Sequence, residues 1–395
     1  MTDQHAAAAM PSTPTTLDPL LPRGAAPGVW REQAVYWLLL IAVLGLVPLV
    51  AADNNYRLAQ FAKYLALAIL ALGVDLVWGY TGMLSLGQGL YFGLGAYSVA
   101  YSLEMQKVAA VARAIPGTIP PGFMEYTNLP ITHPDYQPPW ALPFIAPLAN
   151  IWVALAAAVI LPVIAATLFG LMTFRLRIRG VYFALITQAL LLAAYTLVLN
   201  QQSLTGGFVG IKNLADLNLF GMAFNDSKQA LPLYLLVAGT LVVCLVACSL
   251  LTHSKVGKIL TAIRDNENRT MALGYNPAAY KVFIFAVAAC LAGIGGAMYT
   301  AANGLAGPEY LSVAFSIDLV VLVAVGGRGT LFGAVFGALL VGLAKDHISE
   351  RSAELWPIFL GCLYVGVVLL LPQGILGALR QLAGRFRRGT KVASA

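Results

Sequence analysis

Polar side chains inside long apolar runs are the residues of this sequence whose types and positions best suit chemistry. Asp75 and Asp318 are ionisable, and a charge at the centre of an apolar helix costs on the order of 2.5 to 3.5 kcal/mol, so each is expected to face protein or water. Structural pairing and a place on a solute path both remain open for them. Uncharged groups can hydrogen-bond a small polar solute without that cost; these are Ser85, Gln88, Thr187 and Gln188. For these four, packing between helices is the competing explanation.

Sequence motifs for enzyme chemistry are absent. The chain has no GxxxxGK[ST] phosphate loop, no HExxH metal motif and no dinucleotide-binding glycine pattern after a strand. Its cysteines all lie in apolar runs, which excludes a CxxC metal site and a disulfide framework: Cys244, Cys248, Cys290 and Cys362. We therefore predict that the chain is not an enzyme, holds no metal or cofactor, and neither binds nor hydrolyses ATP.

The composition places the chain in a lipid bilayer. Hydrophobic residues make up 59% of its 395 residues, charged residues only 10%, and the mean hydropathy is +0.78. A soluble domain has roughly 25% charged residues. The net charge of +7 comes from basic residues between apolar runs, where they set membrane orientation, so no nucleic-acid partner is expected. We predict an all-α polytopic membrane protein.

Apolar runs long enough to form membrane helices recur along the chain. A helix needs about 20 such residues to cross a bilayer. The sequence therefore predicts about ten transmembrane helices, near residues 34–52, 58–78, 84–103, 148–172, 181–199, 230–251, 281–302, 315–326, 330–345 and 356–371.

Two of these regions are interrupted. The apolar run from Phe315 to Val325 makes only about 17 Å of helix, which predicts a half-helix broken at Gly326, Gly327 and Gly329. A second break is predicted at residues 79–89, GYTGMLSLGQG. Non-helical backbone is tolerated at membrane depth only where protein buries it or where it lines a cavity, and paired breaks point to a substrate path. Gly326 and Gly327 therefore join the candidate path residues.

Clusters of Lys and Arg predict the orientation. They follow the fourth and sixth spans and fill the C-terminal tail, and alternate threading puts all three clusters on one side, which is cytoplasmic by the positive-inside rule. Both termini are then cytoplasmic. We predict a disordered tail at 1–33, a transmembrane permease domain at 34–377 with an external loop at 104–147, and a basic tail at 378–395.

A charged amphipathic stretch lies between two predicted spans at residues 254–280, here called the docking segment. From Ser254 to Met271 its apolar residues alternate with charged ones, which predicts one short cytoplasmic helix. A basic amphipathic helix can lie on anionic lipid. Asp265 and Glu267 favour a protein partner instead.

Seven motifs spread over residues 34–377 carry a family resemblance. Together they resemble the permease subunits of branched-chain amino acid type ABC importers, and most nearly the urea-type members. They are GYTGMLSLGQGLYFGLGAY (79–97), RGVYFALITQAL (179–190), TGGFVGI (205–211), GKILTAIRDNENRTMALGY (257–275), KVFIFAVAACLAGIGGAMY (281–299), SIDLVVLVAVGGRGTLFGAVFGALL (316–340) and LPQGILG (371–377).

The resemblance implies a type II-like ABC importer permease in the bacterial inner membrane. It further implies a second homologous permease subunit, two cytoplasmic ABC ATPases that carry ATP and Mg²⁺, and a periplasmic solute-binding protein. The docking segment matches the coupling helix of the family. ATPase coupling is therefore assigned to Gly257, Ala262, Ile263, Arg264, Asp265, Glu267, Arg269 and Gly274.

The solute is a finer inference from the same resemblance. The patterns ITQAL and AVGGRGTL are similar to the urea-type permeases, so urea or short-chain amides are the first expectation and branched-chain amino acids the alternative. The histidine usual in the family's SLGHG pattern is Gln88 here. A different class, an ion-coupled secondary transporter, would use Asp75 and Asp318 as coupling sites.

Overall fold

The chain is described as two units, residues 1–45 and 46–395. A computed structural model describes residues 27–51, 54–114, 146–176, 180–212, 214–215, 217–219, 222–223, 230–351, 355–370, 374–375 and 377. The described residues of the first unit all belong to helix α1, which begins at Pro27. Residues 27–33 of the predicted tail belong to this helix, since proline at a first helical position favours a helix start. Residues 1–26, most of the predicted external loop and the basic tail lie outside the described residues.

Helices account for nearly all of the described secondary structure. They are α1 (Pro27–Ala51), α2 (Asn55–Asp75), α3 (Gln88–Ala114), α4 (Ile151–Arg175), α5 (Val181–Asn200), α6 (Gln202–Thr205), α7 (Leu231–His253), α8 (Lys255–Asp265), α9 (Glu267–Ala272), α10 (Pro277–Asn303), α11 (Val313–Gly326), α12 (Leu331–Arg351) and α13 (Leu355–Leu370). A π turn (Leu76–Tyr80) extends α2, and 3-10 turns cover Ala146–Ala149 and Pro308–Leu311.

Four two-residue strands complete the described elements. They are β1 (Ile211–Lys212), β2 (Asn218–Leu219), β3 (Met222–Ala223) and β4 (Leu305–Ala306). Strands β1 and β4 pair antiparallel, with Ile211 opposite Ala306, and β2 pairs with β3. The first pairing ties the segment after α5 to the segment after α10, and the chain then passes through a 3-10 turn into α11.

The helices confirm an all-α polytopic membrane protein. Each predicted apolar run overlaps one helix of the structure. Within the described residues, six helices are long and apolar enough to cross a bilayer: α2 with its π turn, α4, α5, α7, α10 and α12. Shorter apolar helices cover Tyr36–Pro48 and Val313–Gly326.

The core of the second unit lies along α2, α3 and α10. The apolar window of α2 is 78% buried and that of α10 is 61% buried, against 28% for α4 and 22% for α5. Close packing between α3 and α10 depends on glycine, because a Cβ on Gly95 would overlap the carbonyl of Gly293. The outer helices leave large apolar side chains exposed, as lipid-facing helices do.

Both predicted interruptions are present. After the π turn the chain is non-helical from Gly82, with φ of 73°, until α3 begins at Gln88. Helix α11 ends at Gly326, and the following Gly327 and Gly329 have φ of 122° and 78°. Only glycine adopts such backbone without steric cost, so these clusters stop the helices where the sequence predicts.

Two boundaries differ from the sequence prediction. Helix α3 continues to Ala114, so residues 104–114 of the predicted external loop are helical. The docking segment is two helices, α8 and α9, and the prediction of a single helix is wrong. Asn266 separates them in extended conformation, and its Oδ1 accepts a hydrogen bond from the Arg269 N–H at 3.0 Å. An asparagine that caps a new helix in this way ends the previous one.

Candidate functional site

The two interruptions touch each other. The Gly329 N–H donates a hydrogen bond of 2.6 Å to Oδ1 of Asp75, which is fully buried. Gly79, in the π turn, lies so close that a Cβ there would be 2.5 Å from the Gly329 nitrogen. The end of α2 and the loop after α11 are thus held together by Asp75, Gly79 and Gly329, which we call the junction.

The docking segment reaches the junction through one side chain. Nη1 of Arg264 donates a hydrogen bond of 2.8 Å to the Gly79 carbonyl, and Nε donates one of 3.3 Å to Oδ1 of Asp265. The aliphatic part of Arg264 also lies against Gly82. A continuous set of contacts therefore runs from α8 to both interruptions.

Apolar burial and one ion pair anchor the docking segment. Gly257, Leu260 and Ile263 form the buried face of α8. A Cβ on Gly257 would overlap the backbone of Thr252 near the end of α7, so glycine permits the tight turn there. Nζ of Lys281, on α10, donates to Oε1 of Glu267, on α9, at 2.7 Å.

The opposite side of the docking segment is exposed. The predicted coupling residues there are Ala262, Arg264, Asp265, Arg269 and Gly274, whereas Gly257 and Ile263 are buried and Glu267 is half-buried. The coupling set therefore divides into residues that hold the segment in place and residues that are open to a partner.

A cavity of about 220 Å³ lies beneath this segment. Its walls come from residues 263–267, the interrupted loop at Thr81–Met83, the start of α5 at Gly180 and Phe183, and Lys281. The turn between α4 and α5 and the docking segment therefore lie on the same side of the helices.

Three of the predicted polar path residues meet at the start of α3. The Leu86 N–H donates to Oγ1 of Thr187 at 3.1 Å, and the Gly87 N–H donates to Oγ of Ser85 at 3.4 Å. Gln88 is the first residue of α3. Gln188 is half-buried, and its side chain makes no hydrogen bond to the described residues, so the structure does not bring it into this group.

Asp318, on α11, does not contact the polar residues at the start of α3. Its Oδ2 is 3.9 Å from Nζ of Lys345, on α12, which is an ion pair at the limit of contact. Gly326 and Gly327 are buried at the end of α11, and a Cβ on Gly326 would overlap the Gly333 carbonyl of α12. Asp318, Gly326 and Gly327 thus make contacts between α11 and α12.

Four residues of these sites were not among the predicted site residues, although Gly79 and Gly329 lie in the two predicted breaks. Gly79 and Gly329 form the junction, and Arg328 lies over the Trp78 ring with 5.4 Å between the guanidinium carbon and the ring centroid. Ser316 lies beside the first turn of α3. Gly79 lies in the motif at 79–97, and the other three lie in the motif at 316–340. These interrupted motifs were the available signal for the four residues. The sequence did not show their contacts, because the contacts join distant parts of the chain.

Membrane-spanning helices, paired interruptions and an exposed docking segment define a permease of the membrane. The chain belongs to the family described as branched-chain amino acid transport system / permease component, whose family model matches residues 57–368. It is 24% identical over 365 residues to the high-affinity branched-chain amino acid transport system permease protein LivM of Salmonella typhimurium, covering 87% of this chain and 75% of that protein.

Two further relatives share parts of this likeness. The LivM protein of Escherichia coli K12 is 25% identical over 378 residues, covering 90% of this chain and 78% of its own length. The ribose import permease protein RbsC of Escherichia coli K12 is 26% identical over 206 residues, covering 51% and 62%. No solved structure matches the chain.

The chain is therefore a membrane-embedded permease of an ABC import system and a transport subunit rather than an enzyme. The family prediction is confirmed. The relatives are named for branched-chain amino acids and for ribose, so the urea-type assignment stays a prediction.

Proposed function

We propose that this chain forms part of the pore of an ATP-driven importer that carries a small polar solute across the bacterial inner membrane. A second homologous permease subunit, two cytoplasmic ABC ATPases that bind ATP and Mg²⁺, and a periplasmic solute-binding protein complete the importer. Both termini and the docking segment face the cytoplasm. The observation that carries the proposal is the contact of Arg264 with the junction.

The contact supplies a mechanical route for coupling. The sequence contains no phosphate loop, and in this proposal the energy comes from partner ATPases that seat against the exposed residues of α8 and α9. Movement of α8 moves the Arg264 guanidinium and with it the Gly79 carbonyl. Since Gly79 packs on Gly329, both interruptions shift together. Glycine backbone changes conformation at low cost, which suits a gate that alternates between two states.

Two solutes fit the proposal. Urea and short-chain amides are favoured by the patterns ITQAL (186–190) and AVGGRGTL (324–331), although 186–190 contains Gln188, which is only half-buried. Branched-chain amino acids are favoured by the two LivM relatives, which cover most of this chain. Both kinds of solute carry a planar group with an oxygen that accepts hydrogen bonds: a carbonyl in urea and amides, and a carboxylate in amino acids.

Uptake into proteoliposomes tests this function. The chain is reconstituted with the permease, ATPases and binding protein encoded beside it, and uptake of radiolabelled urea and of radiolabelled leucine is measured with and without ATP. We expect ATP-dependent uptake of one of them that persists when ionophores collapse the proton and sodium gradients. Uptake that does not depend on ATP and is lost when the ion gradients are collapsed would refute the importer and establish the secondary transporter.

A further inference from the structure

The first turn of α3 lies beside the interior of α5 rather than beside an end of that helix. Gly180 lines the cavity under the docking segment, and Thr187, which contacts the start of α3, is about 10 Å farther along α5 at the helical rise. Ser316 contacts the same turn from α11, about 15 Å from the end of that helix at Gly326. Because α5 is long and apolar enough to cross a bilayer, a start at this position suits a site at membrane depth.

The start of α11 meets the start of α3 at this depth. Oγ of Ser316 is 3.3 Å from the position that a Cβ on Gly89 would occupy, and the Tyr310 carbonyl is 2.5 Å from the same position. Ser316 belongs to the first turns of α11, and Gly89 to the first turn of α3. Two helix N-termini, each with a partial positive charge, therefore converge on one place.

Two buried polar side chains in the first turns of these two helices have no partner among the described residues. Gln88 and Ser316 are each only 2% exposed. Within the described residues, neither amide atom of Gln88 makes a hydrogen bond, and neither does Oγ of Ser316. Buried polar groups are nearly always paired, so these two call for an explanation that packing does not give.

Backbone donors add to the unpaired groups. The first N–H groups of any helix lack an acceptor within the helix. At the start of α3, the Leu90 N–H donates to the Gly87 carbonyl at 3.1 Å. The N–H groups of Gln88 and Gly89 have no acceptor within the helix and are directed out of it. An apolar wall adjoins them: the Phe92 ring lies one turn farther along α3, with its centroid 5.2 Å from that of Phe315.

We propose that Gln88, Ser316 and the first turn of α3 form a transient binding site for the carboxylate or carbonyl oxygen of the transported solute. The proposal rests on the importer function given above. The Gln88 amide and the Ser316 hydroxyl donate to the oxygen, and the two helix N-termini stabilise its negative charge. The Phe92 and Phe315 rings contact the apolar part of the solute. Gln88 and Ser316 are buried in this structure, and the site becomes accessible to the solute as the pore alternates.

Replacing the unpaired groups separates binding from packing. Gln88→Leu and Ser316→Ala remove the polar atoms at nearly constant volume. In the reconstituted importer we expect at least a tenfold lower rate of ATP-driven uptake for Gln88→Leu and a severalfold loss for Ser316→Ala. Melting temperatures should stay equal or rise, because a buried polar group without a partner is removed. Ser98→Ala is the matched control, since the Ser98 hydroxyl already donates to the Leu94 carbonyl at 2.7 Å.

Gln88→Glu distinguishes the two sources of the oxygen. The two helix N-termini favour the ionised form of a glutamate here, and an ionised glutamate repels a carboxylate, so uptake of leucine should fall at least tenfold further than in Gln88→Leu if an amino acid is the cargo. Uptake of urea, which is neutral, should not show this extra loss.

The outcomes separate the site from the function. Wild-type importer without ATP-driven uptake of either probe would refute the proposed function. Active wild type, together with Gln88→Leu and Ser316→Ala variants that keep normal uptake, would refute the site alone. Lower melting temperatures in proportion to the lost uptake would show a structural role and would also overturn the site.

Discussion

Replacement of Arg264 by alanine is expected to uncouple ATP hydrolysis from solute movement. The Arg264 guanidinium connects the docking segment to the junction, because its Nη1 donates a hydrogen bond of 2.8 Å to the Gly79 carbonyl. Alanine removes this contact but leaves the buried face of α8 at Leu260 and Ile263 intact. The ATPases should therefore still bind, while their motion no longer reaches the interruptions.

The magnitude follows from the exposure of the bond. A hydrogen bond to a charged group contributes about 1.5 to 3 kcal/mol when buried. Because the Arg264 side chain is 41% exposed, solvent screening reduces this to about 1 kcal/mol. That energy changes about fivefold the ratio of the conformation in which Arg264 holds the Gly79 carbonyl to the one in which it has released it. We expect the number of solute molecules moved per ATP to fall about fivefold.

Arg269 provides a matched control of equal charge. It is exposed on α9, and its side chain makes no hydrogen bond or ion pair with the described residues. Arg269→Ala should weaken ATPase binding, so that hydrolysis and uptake fall together and their ratio stays constant. Arg264→Lys keeps one donor and should restore part of the ratio.

The assay measures ATP hydrolysis and solute uptake in the same proteoliposomes. An Arg264→Ala importer with the wild-type ratio of uptake to hydrolysis would refute the coupling route through Gly79. A parallel loss of both activities, as expected for Arg269→Ala, would refute it as well, because Arg264 would then only bind the ATPase.

Three further substitutions test other contacts. Gly326→Val places a side chain against the Gly333 carbonyl and should destabilise the packing of α11 on α12 by about 1 to 3 kcal/mol, measured as a lower melting temperature. Lys281→Met breaks the 2.7 Å pair with Glu267 and should cost about 2 kcal/mol, seen as faster hydrogen exchange in α9. Asp318→Asn should leave ATP-driven uptake within about twofold of wild type, because its pair at 3.9 Å is weak.

Controls and contrary results follow from the same contacts. Gly361→Ala has no atom within 4 Å of the new Cβ and should melt as wild type. Lys258→Met removes an exposed lysine of α8 and should not change exchange in α9. Loss of uptake in Asp318→Asn with intact ATP hydrolysis would instead favour the ion-coupled transporter, and unchanged melting of Gly326→Val would contradict the close approach of α11 and α12.

Local properties of the sequence determined most of the helical layout. Hydropathy and helix length are read over about 20 consecutive residues, so every predicted apolar run became a helix. The glycine clusters at 79–89 and 326–329 predicted both interruptions, because the ability to adopt positive φ belongs to glycine itself and does not depend on distant contacts. The break at Asn266 also had a local signal in its capping side chain, but the continued apolar period favoured a single helix.

The contacts of the sites depended on tertiary structure alone. Arg264 and Gly79 are 185 residues apart, and Asp75 and Gly329 are 254 apart. Ser316 showed no feature that separates it from other serines in apolar runs until α11 folded against α3. Sequence thus determined which backbone is interrupted and which segment is amphipathic, because these follow from neighbouring residues. Only the fold decided which interruption meets which, because that depends on the packing of helices whose apolar surfaces are alike in composition.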